Sequence, residues 1–190
     1  MGWCGAAFGI GLALTFGSAV TAACTPDTVE LRWDGGAARF TVELADTPQL
    51  RETGLMNRDR MASSAAMLFA YQTPEHAYFW MKNTLIPLDM IFADATGRVT
   101  RVHSDAVPQD LTPIDGGEAV SYVLEINGGL AKRLGLPEGA AMRSDVIAQQ
   151  GAVWPCDSES RGYCFAISCI SSENRFTLFG MHFRKPSVGA

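Results

Sequence analysis

Apolar and polar residues alternate in two neighbouring runs, Thr28-Val29-Glu30-Leu31-Arg32-Trp33 and Arg39-Phe40-Thr41-Val42-Glu43-Leu44, with Asp34-Gly35-Gly36 between them. A period of two belongs to extended chain with one buried face, and Asp-Gly-Gly supplies a turn, so the two runs predict a hairpin. Further short strands are expected over residues 66–71, 77–82, 88–93, 97–103 and 119–126. Two short helices interrupt them. Asp46-Thr47-Pro48 ahead of residues 49–55 is a cap followed by proline, with Leu50, Gly54 and Leu55 on one apolar side, and residues 130–134 end at Gly135. Many strands at short spacing favour a closed or sandwiched antiparallel sheet. With 47% hydrophobic and 18% charged residues, the chain has the composition of a domain that buries a core.

Charge divides the chain into three parts. No Asp, Glu, Lys or Arg precedes Asp27. Of the net charge of −5, the segment from Ser158 onward contributes +2, which leaves −7 on residues 24–157. Such a domain repels nucleic acid and anionic membrane surfaces, so no nucleic-acid partner is expected.

Residues 1–23 read as a secretory signal: an apolar run from Ala6 to Val20 ends in Thr21-Ala22-Ala23. Its n-region, Met1-Gly2-Trp3-Cys4, lacks a basic residue, and the uncharged stretch is also long enough to anchor in a membrane. Export to the periplasm or beyond is the expectation. Removal of the leader leaves Cys24, Cys156, Cys164 and Cys169, an even number in an oxidising compartment. Cys24 opens the mature chain and Cys156 follows Trp154-Pro155 at the domain's end, so a bridge between them would tie the two termini. Thr21-Ala22-Ala23-Cys24 also resembles a lipoprotein box without its usual Leu, and acylation at Cys24 would preclude that bridge. Residues 158–190 show no sustained period and are expected to form an atypical, poorly ordered extension; Cys164 and Cys169 alternatively close a small loop there.

The most informative block is Tyr78-Phe79-Trp80-Met81-Lys82-Asn83-Thr84-Leu85-Ile86-Pro87-Leu88-Asp89. Together with Thr53-Gly54-Leu55-Met56, Met67-Leu68-Phe69 and Val123-Leu124-Glu125-Ile126-Asn127-Gly128-Gly129, in that family's order, it resembles the uncharacterised family known as domain of unknown function number 192, over residues 28–142. The resemblance implies a compact, mainly antiparallel β fold of jelly-roll or barrel type with one or two short helices, often behind a bacterial signal peptide. It implies no activity. The expected fold class is therefore mainly β, a compact antiparallel β-barrel or jelly-roll-like sandwich.

If residues 78–83 form a strand, Tyr78, Trp80 and Lys82 share one face and Phe79, Met81 and Asn83 the other. Asp89 is then the expected partner of Lys82. In the functional reading Trp80, Lys82, Asn83 and Asp89 floor a small-ligand pocket, which Met56 and Glu125 of the neighbouring blocks complete. In the plainer reading Lys82 snorkels at a strand end and Asn83 caps a turn. Met56, Met61, Met67, Met81 and Met90 with His76 and His103 carry Cu(I)-type donors but at no tight spacing, and methionine commonly fills cores. The acidic stretch Asp105, Asp110, Asp115 and Glu118 matches no calcium loop, so Asx turns in solvent are expected. No metal or cofactor is expected.

No nucleophile elbow or phosphate-binding glycine loop is present in the sequence. His76 and His103 could each serve as a base, and Glu125 with Asp89 or Asp115, joined by His103, would serve a small envelope hydrolase if folding brought the carboxyl groups together. The preferred expectation is a monomeric exported domain that binds a small molecule or an envelope partner; a module docking a protein through a sheet edge is the remaining class.

Overall fold

The computed structural model describes residues 23–156, so the leader and the C-terminal extension, with Cys164 and Cys169, lie outside the described residues. In chain order the elements are β1 (Thr28–Trp33), β2 (Gly36–Ala45), α1 (Pro48–Thr53), β3 (Ala65–Phe79), β4 (Leu88–Ala93), β5 (Val99–Ala106), β6 (Ile114–Asn127), α2 (Leu130–Leu134) and β7 (Ala141–Arg143). They build one curled seven-stranded sheet in the order β5-β4-β6-β3-β2-β1-β7, a half-barrel with two short helices. An antiparallel bridge between Arg98 and Ala141 brings the start of β5 to β7, tying together the two ends of the sheet.

The fold is mainly β as expected, but β2 and β3 pair in parallel, from Thr41 opposite Ala65 to Ala45 opposite Phe69. A parallel pair needs a crossover rather than a tight turn, and α1 with the loop after it supplies one. A second departure concerns the runs 66–71 and 77–82, which form one strand. β3 continues through the exposed residues 72–76 with register shifts against β6, and those irregularities accommodate Pro74, which has no N–H to give the ladder. The strand ends at Phe79, so Lys82 is not on it. β6 likewise begins earlier than expected, because Gly116 and Gly117 are inside it rather than in a turn. At Gly116 the chain passes so close to Phe92 that a Cβ would lie 2.4 Å from its ring.

Each face of the central strands is covered. Leu31, Leu68, Ile91, Leu124, Ile126 and Met142 form one core, which takes in Ala131 of α2. Met67, Phe69, Met90, Phe92 and Val123 form the other, closed by Leu55, Met81 and Ile86. This double burial explains why β4 is buried at all six positions and why β6 is buried without a break from Val120 to Ile126. It also means that any ionisable group within those runs is taken out of water.

β1 pairs with both β2 and β7, so the two chain ends of the domain are neighbours. Cys24 and Cys156 are bonded there, with Cα atoms 5.2 Å apart. Trp154 lies between the guanidinium groups of Arg32 and Arg143, 4.2 and 4.1 Å from its ring centre, and Arg143 is paired with Glu30.

Candidate functional site

A cleft of about 510 Å³ opens on the side of the second core. Its rim begins at α1. Thr47 caps this helix by accepting from the Leu50 N–H at 3.3 Å, and Pro48 enters it without needing a donor. The expected apolar side is incomplete, because Leu50 stays exposed and only Leu55, beyond the helix, is buried. The helix stops at Gly54, whose φ of +48° suits glycine and whose missing side chain leaves room for the ring of Phe69. Arg51 is fixed on this rim: its Nη1 donates to the Asp46 and Ala70 carbonyls at 2.7 and 3.0 Å, and its guanidinium lies 4.9 Å from the centre of the Tyr71 ring.

The opposite rim is the turn after β3. Met81 is buried, and Asn83 takes φ +55°, a left-handed conformation that asparagine tolerates better than most residues. The Asn83 carbonyl accepts from the Asn57 N–H at 2.8 Å, and the Asn83 side-chain amide points at the Met56 sulfur at 3.8 Å. Two loops distant in sequence are thereby joined along one wall. Phe69 and Phe79 form another, edge to face with ring centres 5.3 Å apart. Lys82 and Trp80 stand exposed at the mouth, with the ammonium 5.4 Å from the indole centre. Among the described residues, no carboxylate pairs with Lys82.

Glu125 reaches the cleft from β6, where Met67 and Met90 are its neighbours across the sheet. It is only 5% exposed. Among the described residues, no group donates a hydrogen bond to its carboxyl. Burial alone pushes its pKa up to about 8, so at neutral pH it is largely a neutral acid with an O–H to offer. Tyr71 on β3 is pushed up to about 12, chiefly by burial and next by Glu75.

Five of the six candidate ligand residues, Met56, Trp80, Lys82, Asn83 and Glu125, thus border one cleft. Asp89 does not. Its side chain is fully buried on the other side of the sheet, where it accepts from the Gly129 and Ala131 N–H groups at 2.8 and 2.6 Å and from Asp105 N–H at 2.8 Å. It caps α2 from a distance, which corrects both its expected place in the pocket and its pairing with Lys82. The alternation along β4 decides this, since Asp89 sits between Leu88 and Met90, whose side chains join the second core. Sequence reasoning missed Arg51 and Tyr71. Tyr71 was within reach, being two residues beyond Phe69 and therefore on the same face of β3.

The remaining candidates disperse. Met67, Met81 and Met90 fill the second core. Asp115 Oδ1 accepts from His76 Nε2 at 2.8 Å on the exposed surface, and that hydrogen bond is the main reason its carboxyl lies below the usual carboxylate range. Asp110 accepts from Thr112 N–H and Oγ1–H at 2.9 and 2.8 Å, an Asx turn. Glu125 and Asp115 are ten residues apart on one strand, roughly 30 Å at the rise of extended chain. Neither Asp89 nor Asp115 can act with Glu125 across one glycosidic bond.

No curated protein matches the chain. Two solved structures do. A protein from Sinorhizobium meliloti 1021, provisionally described as a transcription regulator, is 39% identical with a TM-score of 0.62, covering 66% of this chain and 98% of that one. A protein of unknown function from Novosphingobium aromaticivorans DSM 12444 is 37% identical with a TM-score of 0.60, covering 70% of this chain and 99% of that one. A family model described as an uncharacterized ACR, DUF192, matches residues 29–144, a span that takes in every residue of the cleft, and the chain belongs to that family.

Proposed function

We propose that this chain is an exported binding domain and that the cleft beside Trp80, Lys82, Asn83 and Glu125 takes a small molecule. One observation carries the proposal: among the described residues nothing pairs with the buried Glu125 carboxyl, which faces a cavity large enough for a metabolite. A carboxyl left unpaired inside a fold costs stability, and an apolar residue would serve the sheet better. Its presence is accounted for when the missing partner arrives from the cleft. Apolar walls with a few convergent polar groups are the usual make-up of a small-ligand site. The transcription-regulator description of the Sinorhizobium protein is not carried over, since a net charge of −5 opposes binding to a phosphate backbone.

Thermal melting of the purified protein against a panel of small metabolites tests the reading, with native mass spectrometry of whatever copurifies. A stabilising compound is expected to lose its effect in Lys82→Met, whose unliganded melting point stays that of the parent because Lys82 is exposed and, among the described residues, in no ion pair. Ligand-induced shifts of unchanged size in that variant would remove Lys82 from the site.

A further inference from the structure

Resting on the reading of the cleft as a binding site, we infer that its ligand is a small organic ammonium, seated with its charge against Glu125 and its carbon skeleton among Phe69, Tyr71 and Phe79. The partner that Glu125 lacks must come through the cleft, because β6 surrounds the carboxyl with Met67 and Met90 from the adjoining strands. An anionic ligand would gain only the single O–H of the neutral acid and could not pair with the carboxylate. A hydroxyl would add one neutral hydrogen bond and leave the carboxyl un-ionised. An ammonium brings three donors and a positive charge, which turns the lone acid into one half of a buried pair. Aromatic faces add to this, since their quadrupole favours a cation held within about 6 Å of the ring centre. The edge-to-face contacts of Phe79 with Phe69 and Phe92, at 5.3 and 5.7 Å, fix those walls before any ligand enters.

Among the described residues, no cation occupies this place. Arg51 is committed to two backbone carbonyls, and the Lys82 ammonium stands over Trp80 at the mouth. Both positions favour a ligand whose far end is neutral or acidic. The titratable and charged groups sharing the cleft with Glu125 are Arg51 and Glu52 from the α1 side, Tyr71 and Tyr78 from β3, and Lys82 from the following turn. Tyr71, pushed up to about 12, stays neutral throughout the range in which Glu125 titrates. Seating an ammonium therefore expels the Glu125 proton, and affinity should climb with pH until that carboxyl ionises by itself at about 8.

Titration calorimetry with phenethylamine, phenylalanine, 3-phenylpropionate and glucose separates the possibilities. Both amines are expected to bind, roughly tenfold or more tightly at pH ~8.5 than at pH ~6.5, with a heat that depends on the buffer because a proton is released. Glu125→Gln should weaken both amines at least tenfold while melting no lower than the parent. The assignment is overturned if neither amine binds at millimolar concentration, if amine affinity ignores pH, or if Glu125→Gln binds them like the parent. Binding of 3-phenylpropionate or glucose that disappears in Lys82→Met would overturn the ammonium and leave the cleft as a binding site. Silence from all four compounds, joined to silence in the melting panel, would overturn both.

Discussion

At the scale of single residues, Glu125 and Asp115 show how position on one strand decides the state of one chemical group. Asp115 lies in solvent with His76 beside it, and its carboxyl is held below the ordinary range. Glu125 lies between covered faces, and burial raises its pKa from 4.5 to about 8. The consequence for stability has a definite sign. Between those two values the folded protein keeps a proton that the unfolded chain has released, so stability falls as pH rises through the window and stays lowered above it. Glu125→Gln removes that dependence. The variant should gain roughly 3 to 5 kcal/mol over the parent on going from pH ~4.5 to pH ~9. Urea denaturation of both proteins across this range checks it, and a constant difference between them would mean that the carboxyl is paired or hydrated in solution.

Among the elements, α2 and α1 are stabilised by different means. The five residues of α2 are too few to hold a helix by propensity, and its N-cap, Gly129, has no side chain to cap with. Asp89 substitutes for it from β4, accepting two N–H groups at the helix start and a third from Asp105. Asp89→Ala would strand those donors in a buried site and should cost about 3 to 5 kcal/mol. Chemical denaturation measures this; a loss of less than about 1 kcal/mol would show that water replaces the carboxylate. In α1 no residue is buried, so local devices hold it: the Thr47 cap, the Pro48 entry, the Gly54 exit and the Arg51 anchor on neighbouring carbonyls. Those devices could be read from the residues in order, apart from the Arg51 contact with Ala70, which depends on β3 lying alongside.

In the domain as a whole, the two edges of the sheet and the two ends of the chain are each fastened. The Arg98 bridge to Ala141 brings β5 to β7, and the bond from Cys24 to Cys156, 132 residues apart, joins the segment before β1 to the segment after β7. Closing so long a loop contributes at most about 4 to 5 kcal/mol in the chain-entropy model. The Trp154 ring between Arg32 and Arg143 packs the strap leading to Cys156 against β1 and β7. Reduction is expected to lower the denaturant midpoint by a margin within that limit and leave the fold intact at room temperature, since the two cores do not involve either cysteine. Intact-mass measurement of the purified protein should show no free thiol at Cys24 or Cys156. A diacylglyceryl group on Cys24 would instead show that the lipoprotein pathway takes this chain.

Local chemistry was enough to determine β1, β4 and the Thr47-Pro48 entry of α1, because alternation, an apolar run and capping are legible in chain neighbours, whereas α2, though placed by its residues, is held by Asp89 from a distant strand. The acidic, turn-rich mainly β character followed from the same local rules. The tertiary structure alone decided the parallel pairing of β2 with β3, the fusion of two expected strands into β3, and which acids meet the cleft. Asp89 and Glu125 look alike as acids set among apolar residues. Pleating sends one to three backbone N–H groups, two at the start of α2 and one from Asp105, and the other to a cavity where no described residue donates to it, and that difference arises only when distant strands come into register.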